Sequence, residues 1–128
     1  MKIPEGYQRI MPYLIVEGAS DFFNFMIAVF GAKEKMKVMR DETTIMHAEL
    51  LIGESTIMFA DSSHQYPPQT AGLFIYVDDA DETYGQALAT GAVSVLEPVD
   101  QDYGRTSGVK DPWGNTWWIT SVKTETGA

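Results

Sequence analysis

The chain has 128 residues, 45% hydrophobic and 21% charged, which fits one globular domain with a core of its own. Nine basic against eighteen acidic residues leave a formal charge of −9, which argues against nucleic acid and anionic membranes, since both call for a positive surface. With no cysteine there is no disulfide, thiolate nucleophile or cysteine-bound metal. No apolar run is long enough for a membrane span, and the opening MKIPEGYQRI lacks a signal-peptide core, so a cytoplasmic location is expected.

In chain order, residues 11–16 (MPYLIV) read as a strand and about 20–30 as a helix stopped by Gly31. Strands are expected at 34–39, 44–51 and 55–60, with Gly53 turning between the last two. The loop DSSHQYPPQTAG then crosses over, rich in Ser, Pro and Gly. After it the order restarts, with a strand at 73–77, a helix at about 81–90, Gly91, and strands at 93–97, about 107–110 and 116–122. The chain therefore reads as βαβββ twice, an α+β protein. Val16 and Val77, Gly53 and Gly114, Ala19 and Ala80, and Ser55 and Thr116 keep one offset of 61, while Gly31 and Gly91 slip by one. An internal duplication explains this, with module one at about 8–61 and module two at about 72–123 of a single domain, 1–128.

Alternation assigns faces. Pro12, Leu14 and Val16, with Leu73, Ile75 and Val77, form an aliphatic set suited to lie under a helix. Met11, Tyr13, Gly72, Phe74 and Tyr76 form a larger, part-polar set that would line a cleft, or else a second apolar layer or a dimer contact. The first helix, FFNFMIAVF from Phe22, has Asn24 as its one polar residue, so its excess apolar surface is expected to meet the N-terminal segment or, preferentially, a second subunit. The second is amphipathic, with Ala80, Tyr84, Ala87 and Leu88 at helical spacing. In TIMHAELLIG, Met46, Ala48 and Leu50 are expected in the core and His47, Glu49 and Leu51 on the other face. In DPWGNTWWIT, Asp111, Pro112, Gly114 and Asn115 read as turn-makers, Trp117 as buried and Trp118 as facing the opposite way.

The stretches PYLIVEGASDFFNFMIAVFGA, MHAELLIGESTIMFAD and SGVKDPWGNTWWIT, in that order, resemble the vicinal oxygen chelate superfamily of glyoxalase I, extradiol dioxygenases and bleomycin resistance proteins. The PhnB-like, glyoxalase-related branch is the most similar. The resemblance implies two βαβββ modules forming an eight-stranded incomplete barrel around a cleft. It also implies metal ligands on the first and last strand of each module, which by the offset fall on Met11, Ile57, Gly72 and Trp118. None of these suits zinc, iron or manganese, so no metal and no cofactor are expected.

His47 and Glu49 admit a ligand contact, a general base with its orienting acid, or a structural pair. A relocated metal would need a third ligand from Glu54, Asp61 or His64. Tyr103 and Arg105 are placed in a turn before the penultimate strand; Arg105 either clamps a carboxylate or phosphate or pairs with Asp102 or Glu97. The resulting expectation is a homodimeric protein that binds a small, partly aromatic or amphipathic molecule. Met11, Tyr13, His47, Glu49, Phe74, Tyr76, Tyr103, Arg105 and Trp118 would make the contacts. The alternative is a lyase, dioxygenase or isomerase of the same superfamily using a relocated metal or His47 as base.

Overall fold

The computed structural model describes residues 1–123. The chain divides between Thr70 and Ala71 into two units. The first carries β1 (Tyr13–Val16), α1 (Ala19–Phe30), β2 (Lys33–Met39), β3 (Ile45–Ile52) and β4 (Ser55–Asp61). The second carries β5 (Gly72–Tyr76), α2 (Ala80–Ala89), β6 (Val93–Gln101), β7 (Gly104–Lys110) and β8 (Thr116–Val122). Each unit is βαβββ and folds into a four-stranded mixed sheet, β1-β4-β3-β2 in the first and β5-β8-β7-β6 in the second. The first and last strands of each unit are parallel neighbours, and the other pairs are antiparallel.

In the first unit α1 covers the face carrying Leu14, Val16, Ala48, Leu50, Ile57 and Phe59, all buried. Phe22 meets the Phe59 ring edge-on at 4.9 Å, and each such buried side chain contributes roughly 1.5–3 kcal/mol. The helix is less unusual than its composition implies. Phe22, Phe23, Phe25, Met26 and Val29 are buried within the chain, while Asp21, Asn24, Ile27 and Ala28 face outward. The second subunit expected to cover this helix is therefore not required by it.

Three expected details change. Strand β1 starts at Tyr13 rather than 11, because Pro12 has no N–H to give the ladder; Met11 thus lies outside the strand. Between Val38 and Met39 of β2 the register with β3 slips, so Val38 pairs with His47 and Met39 with Ile45, leaving Met46 as the extra residue. That bulge reverses the alternation: Ile45 is fully buried, and Met46, expected in the core, is 50% exposed. Strands β6 and β7 extend toward each other to a tight hairpin over Asp102 and Tyr103, which places Arg105 within β7 rather than in a turn. Gly104 has φ of 147°, and a Cβ there would run into the Ser121 carbonyl.

Pairing also corrects the repeat. Tyr13 lies opposite Met58, and Phe74 lies opposite Trp118. The first strands keep the 61-residue step, but the last strands match at one residue less, as Gly31 and Gly91 already did. Ile57 is therefore buried under α1, and Met58 is the counterpart of Trp118.

The Asp111 carboxylate organises the turn before β8. It accepts from the Trp113 and Asn115 backbone N–H groups at 3.0 and 2.9 Å, from Asn115 Nδ2 at 3.0 Å and from Trp117 Nε1 at 2.8 Å. Asn115 Oδ1 in turn accepts from Ala71 N at the start of β5. Asp111→Ala strands several buried donors and is expected to cost about 3 kcal/mol in urea unfolding. A loss within experimental error would show that solvent replaces the carboxylate without penalty.

Candidate functional site

The face of the first sheet turned away from α1 carries a continuous polar chain. Tyr13 Oη lies 2.9 Å from His47 Nδ1, His47 Nε2 lies 2.7 Å from Glu49 Oε2, and Tyr7 Oη donates to Glu49 Oε1 at 2.6 Å. Strand order explains the grouping: Tyr13 on β1 pairs with Met58 on β4, which pairs with Glu49 on β3, and His47 is two residues earlier on the same face. Lys35 anchors the N-terminal segment that supplies Tyr7. Its Nζ sits 3.4 Å over the Tyr7 ring and donates to the Gly6 carbonyl at 2.7 Å and to Thr56 Oγ1 at 3.1 Å.

Glu49 is only 4% exposed. Burial alone raises its pKa, but hydrogen bonds from His47 and Tyr7 and the nearby Lys35 charge outweigh that, and the carboxyl lies below its ordinary range. The bond to Glu49 raises the Tyr7 phenol pKa. Burial, with the Glu49 charge, raises that of Tyr13. Both phenols are thus protonated donors at neutral pH. Tyr13, 46% exposed, is the outermost member of the chain.

The second sheet presents a different surface at the matching positions. Phe74, Trp118, Gly108 and Leu96 form one cross-strand row, and Tyr76, Thr120, Thr106 and Val99 form the next. Phe74 meets Tyr76 edge-on at 5.2 Å and lies 6.3 Å from Tyr103 in the hairpin turn. The Trp118 indole rests on Gly108, where an added Cβ would come within 2.6 Å of the ring. Beneath the aromatics the buried Thr106 and Thr120 hydroxyls bond to each other at 2.8 Å.

Arg105 does not join this surface. It pairs across β7 and β8 with Ser121, whose hydroxyl accepts from Ala80 N at the start of α2, so Arg105 belongs to the helix side. There it donates to Asp81 at 2.7 Å and Asp100 at 3.1 Å, neither of them the expected Asp102 or Glu97. Those bonds hold the guanidinium charged, and Asp78 and Asp79 add further negative charge around it. His64 is an exposed loop residue. Asp61 is committed to backbone donors: Gly18 N, Ala19 N and Ile45 N at 3.0, 2.9 and 2.6 Å. Tyr7 and Lys35 were not legible as site residues, because Tyr7 meets Glu49 across 42 residues and no spacing signals it.

A profile of the Glyoxalase/Bleomycin resistance protein/Dioxygenase superfamily matches residues 7–119. The chain belongs to this superfamily. An uncharacterized protein of Mycobacterium bovis is 30% identical over 120 residues, covering 84% of this chain and 79% of its own. TioX from Micromonospora sp. ML1 has a similar fold, with a TM-score of 0.75 at 22% identity over 90% of this chain and 98% of that one. So does a PhnB protein from Bacillus cereus, with a TM-score of 0.70 at 18% identity over 90% of this chain and 100% of that one.

The positions where the superfamily resemblance puts metal ligands now read Met11, Met58, Gly72 and Trp118, with Met58 replacing Ile57. Two thioethers, a glycine and an indole supply no imidazole or carboxylate, so the donor set does not fit zinc, iron or manganese. Among the described residues no three His, Asp or Glu side chains converge to hold a metal elsewhere.

The Glu49 shift has a pH signature. Its folded pKa lies below the ordinary 4.5, so its contribution to stability is complete above that value and is lost as pH falls through the folded pKa. Glu49→Gln is expected to be less stable than the parent near pH ~7 in urea unfolding, with the gap closing as pH falls below the ordinary 4.5 and through the lowered folded pKa. A gap of constant size over that range would contradict the assignment.

Proposed function

We propose that the protein binds a small, partly aromatic or amphipathic molecule and that the aromatic face of the second unit is its main platform. The observation that carries this is the half-exposed set Phe74, Tyr76, Tyr103 and Trp118, at 51, 59, 52 and 36% exposure, gathered on one side of one sheet. Soluble proteins rarely leave so concentrated an aromatic patch without a use for it. Gly108 supports the reading, because its missing side chain leaves room for the Trp118 ring directly over it. Stacking on such rings contributes about 0.5–1.5 kcal/mol per pair beyond area burial. The superfamily description includes a bleomycin resistance protein, and binding without turnover is in keeping with a donor set unsuited to a hard metal.

The second reading, acid–base catalysis by a lyase or isomerase, is favoured by one feature, the Tyr13–His47–Glu49 chain. Both His47 nitrogens are already engaged, so the base would have to act through Tyr13. A thermal-shift screen of small aromatic amphiphiles tests the binding reading. A hit at one hundred times its dissociation constant should add roughly 2.7 kcal/mol. Trp118→Ala should remove that shift, and Gly108→Ala, which drives the indole off its seat, should weaken it. The aromatic face is the wrong surface if both variants leave every hit unchanged.

We propose a homodimer as well, on different grounds from those first expected. The outer strands β2 and β6 expose Met36, Val38 and Met39, and Val93, Val95, Leu96 and Val99. Unpaired strand edges with apolar side chains are templates for a second copy. Light scattering at high micromolar concentration should give twice the chain mass; a monomer mass would remove the proposal.

A further inference from the structure

We infer that Tyr13 is the atom-level contact of the first unit with a ligand, and that it selects one carrying a hydrogen-bond donor: a hydroxyl, an amide N–H or an ammonium group. This rests on the reading that the protein binds a small molecule, and it names the chemistry of the partner. Donor and acceptor roles along Tyr7, Glu49, His47 and Tyr13 leave one free acceptor site at the surface.

An ionised carboxylate only accepts. The two oxygens of Glu49 face Tyr7 Oη at 2.6 Å and His47 Nε2 at 2.7 Å, so each of those partners must bring the hydrogen. With the hydrogen on Nε2, the other nitrogen of the neutral imidazole is a lone pair. That lone pair, on Nδ1, lies 2.9 Å from Tyr13 Oη, so the phenol turns its single hydrogen inward. What Tyr13 offers outward is oxygen lone pairs. Tyr7, buried Glu49 and His47 thereby act as positioning residues, and exposed Tyr13 is the contact.

The surroundings narrow the ligand further. His47 is faced by Glu49 on its own strand and Tyr13 on β1, and its ladder neighbour on β2 is apolar Val38. The Lys35 ammonium is turned to the Tyr7 ring, Gly6 and Thr56. A carboxylate or phosphate at Tyr13 would meet lone pairs with the Glu49 charge behind them. A neutral donor or an ammonium meets a matched acceptor, and the ammonium gains from that charge as well. Were the imidazole to take a second proton, Nδ1–H would donate to Tyr13 and free the phenol hydrogen, reversing the preference.

The test uses the full-length, nitrogen-15-labelled protein. Long-range histidine spectra should show His47 protonated on Nε2 and bare on Nδ1. Benzyl alcohol at millimolar concentration should move the Tyr13 and His47 resonances. Benzyl methyl ether, which lacks the donor, should bind there about tenfold more weakly, the effect of one hydrogen bond. Tyr13→Phe, which keeps the ring, should erase the difference between the two probes. In Glu49→Gln the Tyr7 hydroxyl holds the carboxamide oxygen and turns its NH2 toward Nε2; His47 should then carry its hydrogen on Nδ1, and the preference for the alcohol should be lost. A parent His47 protonated on Nδ1, an ether that binds as well as the alcohol, or an alcohol that perturbs neither Tyr13 nor His47 would each overturn the inference. Perturbation confined to Phe74, Tyr76 and Trp118 would overturn it while leaving the aromatic platform standing. An alcohol preference at Tyr13 that persists after Trp118→Ala has failed to affect any ligand would uphold it and remove the platform.

Discussion

The carboxylate of Asp61 joins three pieces of backbone: the two residues that open α1 and the first residue of β3. Gly18, at the N-cap, has no side chain to satisfy the orphan donors at the start of α1, so the last residue of the parallel neighbour strand does it. Ser121 plays the same part for α2, accepting from Ala80 N. By tying each helix start to the end of its unit's last strand, this contact commits one face of each sheet to the helix. The other face is left to carry chemistry.

On that other face the two βαβββ units differ at matching positions. Where β3 carries His47 and Glu49, β7 carries Thr106 and Gly108; where β4 carries Met58, β8 carries Trp118. The consequence is physical. A side chain at the Gly108 position would collide with the indole, so a carboxylate there, as at the matching Glu49, would displace Trp118 from its seat. The polar chain lies on the first unit and the exposed aromatic row on the second.

A buried carboxylate is expensive unless its lone pairs are matched. Glu49 is matched on both oxygens, and the Lys35 charge favours its ionised form. The cost of ordering the N-terminal segment is offset by the same set of contacts: Tyr7 to Glu49, Gly6 and Gln8 to Thr56, and Lys35 to Gly6. In this way an extended segment outside any strand becomes part of the polar chain.

Periodicity and punctuation in the sequence were enough for the α+β class, the repeated βαβββ order, the 116–122 strand and the separation of Trp117 from Trp118. These are local properties: alternation decides faces, and Gly and Pro end elements wherever they occur. The sequence also determined that the superfamily's ligand positions hold no imidazole or carboxylate, a conclusion that survives the replacement of Ile57 by Met58. Only the tertiary structure decided the rest, because the deciding contacts are distant in sequence. A bulge between Val38 and Met39 turned Met46 outward; the register of β7 put Arg105 on the helix side, where Asp81, twenty-four residues away, holds it; Tyr7 reached Glu49 across forty-two residues. Hydrogen-bond direction along Tyr7, Glu49, His47 and Tyr13 is a property of their assembled geometry, and no spacing in a single chain encodes it.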